Sequence, residues 1–355
     1  MTAGTIDKLL KLKNPEEYDF KNEIVNVNTY TDDLIIKEQV VLGVDNIKKL
    51  KAAGEELPGQ RKKILEEQNP INKCLYLFDL NDNIKEFNSF IPDIRKDLRL
   101  DVFHCDSAYG NCDLANAIYR SLWDWEWNLI MYKKRHRAIP DSLKDKFPKF
   151  PNWDKLGCDT MNSFKTTYNR AVKKIYKKSN QTEYETEFEN ADDNPYLQKF
   201  ACLTHSIGNF TLVPYELSGE SFNGNRGFKN FKNRDENNTL FVWDYWDLSL
   251  KLLKDDLSHE AFKSYIDTFF LNDYVDEDYN IIPLMQSHEK FLKRDKLKLP
   301  LKKSDNESES DFLPKSENQL NEYLKNVNCK IKLRGERMVR ELEKNLQSPR
   351  LRGKA

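Results

Sequence analysis

The stretch from Cys112 to Lys133 constrains the fold more than any other part of the chain. Leu114, Ile118, Leu122, Trp125, Leu129 and Tyr132 recur at steps of three and four, the period of one helix face. Ala115, Tyr119, Trp123, Trp127 and Ile130 form a second apolar stripe beside the first. Two adjacent stripes leave only a narrow polar face, made of Asn116, Arg120, Asp124 and Asn128. Such a helix is predicted to be central, with other elements packed around most of its surface. The composition agrees with a packed core: aromatic residues reach 12% of the 355 positions, whereas chains that stay unfolded are poor in them. Lys+Arg total 57 and Asp+Glu 58, which excludes a uniformly basic nucleic-acid binder but leaves room for a local basic patch.

Further elements follow from periodicity and punctuation. Asp159 or Thr160 is expected to cap a helix whose core face is Met161, Phe164, Tyr168, Val172 and Ile175. Phe210 to Val213 reads as a short strand ended by Pro214. Ser258 is expected to cap a helix that presents Phe262, Tyr265, Ile266 and Phe269 on one side. The run Ser304 to Asp311 is polar and repetitive, so it reads as a linker, and a helix with Val339, Leu342 and Leu346 follows it. The fold class expected is therefore mainly α with a few short strands (α+β), a single large helical core with an appended C-terminal helix. The expected divisions are an N-terminal mixed region over 1–100, a motif-bearing core over 101–300, and an acidic linker with a basic helix over 301–355.

No apolar run approaches the roughly 20 residues of a membrane-spanning helix, and the first residues lack an apolar signal core, so a cytoplasmic location is expected. The six cysteines include no CxxC pair and read as reduced and buried. His104, Cys105 and Cys112 lack the spacing of common structural zinc sites.

The richest stretch lies between Gly157 and Leu250. It contains Asp159-Thr160-Met161-Asn162-Ser163-Phe164, then His205-Ser206-Ile207-Gly208-Asn209-Phe210 running to Val213-Pro214. Phe222-Asn223-Gly224-Asn225-Arg226-Gly227 and Asp244-Tyr245-Trp246-Asp247-Leu248-Ser249-Leu250 complete it. This combination resembles an uncharacterised family of bacterial proteins, a domain of unknown function, and the resemblance implies a bacterial or phage origin. The run from His205 to Pro214, followed by Asn223 and Lys229, is also similar to one half of the HNH module in GmrSD-type restriction enzymes. That likeness implies a metal-dependent nuclease in which asparagines organise a turn and a histidine activates water beside a divalent ion. The module's other half, an acidic residue, His, Ile, any residue and Pro, has no match immediately upstream of His205. The nearest run, His136-Arg137-Ala138-Ile139-Pro140, has an extra residue and follows an arginine.

The candidate site assembled from these motifs has three parts. His205, Asn209 and Asn223 are the catalytic candidates, with His205 as base or ligand. Asp159, Asn162 and Arg226 are the substrate-binding candidates, on the expectation that a helix N-terminus beside an arginine holds phosphate. Asp244 and Asp247, three apart, are the candidate ligands of a divalent Mg or Mn ion. The expected activity is hydrolysis of nucleic acid or a nucleotide, in phage defence or as a toxin. The alternative is a non-catalytic protein-interaction module. On that reading His205 caps a turn, Gly208-Asn209 supplies an unusual backbone angle, Asp247 is an N-cap, and Trp243 and Trp246 are core. Basic runs at 133–137 and 173–178, and nine Lys/Arg against three Glu over 330–355, supply the charge a nucleic-acid partner would need.

Overall fold

A computed structural model describes residues 9–19, 22, 63–78, 118, 121–122, 137–138, 155–179, 190–214, 245–297 and 312–347. It shows a mainly helical protein with a few short strands. The strands are β1 (Arg137–Ala138), β2 (Lys155–Thr160) and β3 (Phe210–Pro214). They form an antiparallel sheet in the order β1-β2-β3, with Asp159 opposite Thr211 and Thr160 opposite Phe210. The strand expected at Phe210 is thus present and ends at the proline.

The helix expected to be capped by Asp159 or Thr160 begins later than predicted. Asp159 and Thr160 complete β2, and α1 (Phe164–Thr167) starts instead behind Ser163, whose hydroxyl accepts the Thr166 N–H at 3.2 Å. A π turn over Tyr168–Val172 carries the chain into α2 (Lys173–Ser179). Phe164 and Val172 are buried, as their spacing predicted.

Asn194 starts α3 (Pro195–Leu203). Its carboxamide oxygen accepts the N–H groups of Tyr196 and Leu197 at 3.0 and 3.1 Å, and its nitrogen donates to Asn321 at 2.8 Å and to the Tyr176 hydroxyl at 3.1 Å. One buried side chain therefore caps a helix and ties it to two others. Beyond α3, a 3-10 turn over Ile207–Asn209 leads directly into β3.

The next pair is α4 (Trp246–Asp256) and α5 (His259–Thr268). Ser258 caps α5 through the Ala261 N–H, and Phe262, Tyr265, Ile266 and Phe269 are fully buried, as expected. A short α6 (Glu289–Leu292) follows. From the long apolar helix expected at 112–132, Ile118 and Leu122 are described and both are buried. Apart from Ser121, the remainder of that helix, the loop at 222–227 and the linker at 304–311 lie outside the described residues.

The C-terminal helix α7 (Glu317–Gln347) is 31 residues long and packs into the core. Leu320, Tyr323, Leu324, Val327, Ile331, Met338 and Leu342 form one stripe, each with essentially no exposure. Burying one such side chain is worth about 1.5–3 kcal/mol, so this stripe gives the body much of its cohesion. Arg334 sits in the same stripe, three residues after Ile331 and four before Met338, and is completely buried. Helix α7 packs against α3 and the 207–209 turn. The N-terminal segment 9–19, with a 3-10 turn at Pro15–Glu17, crosses the same helix.

Candidate functional site

Two of the candidate residues meet, and their meeting organises the centre of the protein. The Asn209 carboxamide oxygen accepts the Asn162 backbone N–H at 3.1 Å and the Asn162 side-chain nitrogen at 3.3 Å. The Asn209 nitrogen donates to the carbonyls of Asn162 at 2.9 Å and Thr204 at 2.8 Å. Asn162 also donates to the Tyr274 hydroxyl at 3.2 Å, and its oxygen accepts the Trp246 N–H, the first of α4, at 3.3 Å. Both side chains are wholly buried. An amide offers two donors and two acceptor sites, and here they join the end of β2, the turn into β3, the start of α4 and the segment carrying Tyr274. Asn162 does cap a helix, as its type suggested, but the helix is α4, 84 residues further on, and not the one that follows it.

Gly208 beside this knot has a reason other than backbone angle. A Cβ at that position would lie 2.0 Å from the Ile331 carbonyl oxygen of α7. Glycine here permits the turn and the helix backbone to touch. Arg334 locks the contact. Its Nε donates to the Phe269 carbonyl at the end of α5 at 3.0 Å, and one terminal nitrogen reaches the carbonyls of Ile207, Gly208 and Phe210 at 3.3, 2.9 and 2.6 Å. The guanidinium fork suits this task because it reaches several carbonyls at once.

Asp247 forms a second buried knot. One carboxylate oxygen accepts the Leu284 N–H at 2.8 Å and His288 Nδ1 at 2.7 Å, and the other accepts the Leu248 N–H at 3.0 Å. The second ring nitrogen of His288 lies 2.9 Å from the Phe312 carbonyl. Both ring nitrogens face acceptors, so both carry protons and His288 is an imidazolium. Burial pulls the His288 pKa down, but the Asp247 carboxylate, the Phe312 carbonyl and Glu322 outweigh it and hold the pKa above its ordinary value. Burial also pushes the Tyr274 hydroxyl well above the usual phenol range, so it stays neutral.

Asp247, one of the two expected metal ligands, is committed to other bonds. Asp247 is the second residue of α4, it is wholly buried, and its oxygens are directed at three N–H groups. A cation seated there would confront the His288 imidazolium. Among the described residues, no three His, Cys, Asp or Glu side chains group in a way that could hold a metal ion. Asp244, Asn223 and Arg226 lie outside the described residues.

His205 is also removed from solvent. Its ring packs against Phe78 with centroids 5.1 Å apart, and Nδ1 lies 4.0 Å from an Asp19 carboxylate oxygen. Asp159 is on β2, so it is not at a helix N-terminus beside Asn162 as expected. The strand that pairs with β3, directly after Asn209, reads Lys155 to Thr160 and contains no histidine.

Among the described residues of the basic tail, Lys330, Arg334 and Arg337 are committed to structure. Arg334 is in the core, Lys330 donates to the Asp273 carbonyl at 2.6 Å, and Arg337 pairs with Asp273 at 2.9 Å. Burial lowers the Lys330 pKa. Arg334 and His288 were not among the sequence candidates. Arg334 carried a usable signal, its place within an apolar stripe; His288 carried none. Among the described residues, no helix is long and apolar enough to cross a membrane. No family model, curated protein or solved structure matches the chain.

Proposed function

We propose that the chain is a non-catalytic interaction protein of a bacterial or phage system, working in the cytoplasm. In this reading the shared motifs fasten its fold and do not perform chemistry. The observation that carries it is the complete burial of His205, Asn209, Asn162 and Asp247, with Asn162, Asn209 and Asp247 spent on internal hydrogen bonds. A hydrolytic base or metal ligand must reach its substrate, and none of these four does. The partner expected is another protein. The resemblance to HNH nucleases then reflects a shared way of building the turn around Asn209.

The test is direct. The purified full chain is incubated with single- and double-stranded DNA, RNA and nucleoside triphosphates, with Mg²⁺ or Mn²⁺, and turnover is compared with a heat-denatured control. No metal-dependent turnover is expected, and affinity purification from the native host should yield a stoichiometric protein complex. Turnover that disappears in Arg226→Ala or Asp244→Ala, with an unchanged circular dichroism spectrum, would overturn the proposal and restore a metal-dependent hydrolase acting on nucleic acid or a nucleotide.

A further inference from the structure

We propose that the exposed side of the helical run 164–179 docks on the phosphate backbone of duplex DNA. This goes beyond the interaction reading, because it assigns a second surface and a partner of another class.

The run carries charge of one sign. Residues 161–179 contain Lys165, Arg170, Lys173, Lys174, Lys177 and Lys178 and no Asp or Glu. Packing fixes its inner side: Phe164, Val172 and Tyr176 are buried, and Tyr168 and Ile175 pack on the core. Among its described side chains, the exposed ones are Asn169, Lys173, Lys174 and Lys177. Lys177 lies four residues after Lys173 and three after Lys174, so the three ammonium groups share one side of α2. Among the described residues, no carboxylate forms an ion pair with any of the three. Acidic groups reach the run through its inward tyrosines. Glu317 accepts the Tyr176 hydroxyl at 3.2 Å, and burial, then the Asp192 charge, raises the Tyr168 pKa. The helix dipole favours cations in a last turn only. Since α2 ends at Ser179, that accounts for Lys177 but not for Lys173 and Lys174.

The residue types select the partner. Protein interfaces are poor in lysine and rest on aromatic, Met and Arg anchors, and the exposed residues here include none of these. Protein–DNA interfaces are more polar and much more positive. A lysine meets a phosphate as a point charge and reads no base. The rings of the run face inward, Tyr168 stacking on Phe164 with centroids 5.8 Å apart. The surface therefore lacks the stacking platform that single strands use, and a duplex is favoured. From Lys173 to Lys177 the helix advances about 6 Å. Phosphates recur about every 3.4 Å of axis on each strand of a duplex, so the row meets about two of them. The near-neutral total charge does not oppose this, because a local patch sets the field that a partner meets.

Fluorescence anisotropy with the full chain tests the proposal, using labelled DNA duplexes of two unrelated sequences and one single strand of equal length, over about 50–200 mM salt. The wild type is expected to bind both duplexes alike and the single strand more weakly. Lys173→Gln/Lys174→Gln/Lys177→Gln is expected to lose about tenfold or more in affinity and to lower the salt slope by about 2. Lys173→Arg/Lys174→Arg/Lys177→Arg, which keeps the charge, should bind as the wild type does. Lys290→Gln/Lys293→Gln/Lys296→Gln removes equal charge from another exposed stretch and should lose less than about threefold. Circular dichroism and thermal melting accompany each variant. Four results would overturn the proposal: no duplex binding by the wild type at the lowest salt, equal losses in the two glutamine variants, tighter binding of the single strand, or binding of polyglutamate or anionic vesicles at salt that abolishes duplex binding. Binding and turnover are separate readouts, so failure here leaves the non-catalytic reading untouched.

Discussion

Replacing Asp247 with Asn tests the second buried knot. The carboxylate accepts three N–H groups, from Leu248, Leu284 and His288. An amide keeps one acceptor oxygen and turns a donor toward the remaining N–H. One orphaned buried N–H costs about 1–3 kcal/mol. Leaving the His288 imidazolium without its counter-charge raises the loss to about 3–5 kcal/mol, the usual cost of breaking a buried ion pair from one side. The cost depends on pH. The fold holds His288 above its ordinary pKa, so protonation stabilises the folded state. That contribution is complete below about pH 6.5, the value of an unfolded imidazole, and is lost as pH rises through the higher folded value. Urea denaturation of wild type and Asp247→Asn at several pH values between 6 and 9 reads both effects. The penalty should be largest near pH 6 and shrink as pH rises. It should not vanish, because one of the Leu248 and Leu284 N–H groups, which bond different carboxylate oxygens, still loses its acceptor. A penalty below about 1 kcal/mol at pH 6, or one that grows with pH, would refute the assignment of His288 as a buried imidazolium.

Two further substitutions probe the contact between the turn and α7. Gly208→Ala places a Cβ against the Ile331 carbonyl and should cost about 1–3 kcal/mol, as overpacking does; a thermal midpoint equal to that of the wild type would show that the backbones are not in contact. Arg334→Lys keeps the charge but loses the fork that spans the carbonyls of α5 and the turn. It should destabilise almost as much as Arg334→Met, by about 2–4 kcal/mol for several unmet carbonyls, and full rescue by lysine in the same denaturation assay would show that charge alone matters.

Local chemistry was legible in the sequence where one stretch of chain decides the outcome. The apolar spacing and serine cap of α5 were readable because Phe262, Tyr265, Ile266 and Phe269 need only a helix and a core to explain them. The strand at Phe210 was readable because proline ends it. Asn162, Asn209 and Asp247 stood out in the sequence as site candidates, but their structural roles depend on partners 47, 84 and 41 residues away, which spacing does not reveal. The same limit applies to Asp159. It is a plausible helix cap by type, yet pairing with β3 draws it into a strand. Arg334 was counted with the basic tail because a charge at the end of a chain suggests solvent. Only its helical phase, shared with Ile331 and Met338, places it inside.

The central claim is that the paired asparagines hold the fold together. A double-mutant cycle on Asn162→Ala and Asn209→Ala, read by chemical denaturation beside the nuclease assay, tests it most directly. Each single variant should lose about 1–3 kcal/mol for the polar groups it strands, and the double variant should lose less than the sum by about 1 kcal/mol or more. Additive losses below about 0.5 kcal/mol each, together with loss of a metal-dependent cleavage present in the wild type, would contradict it.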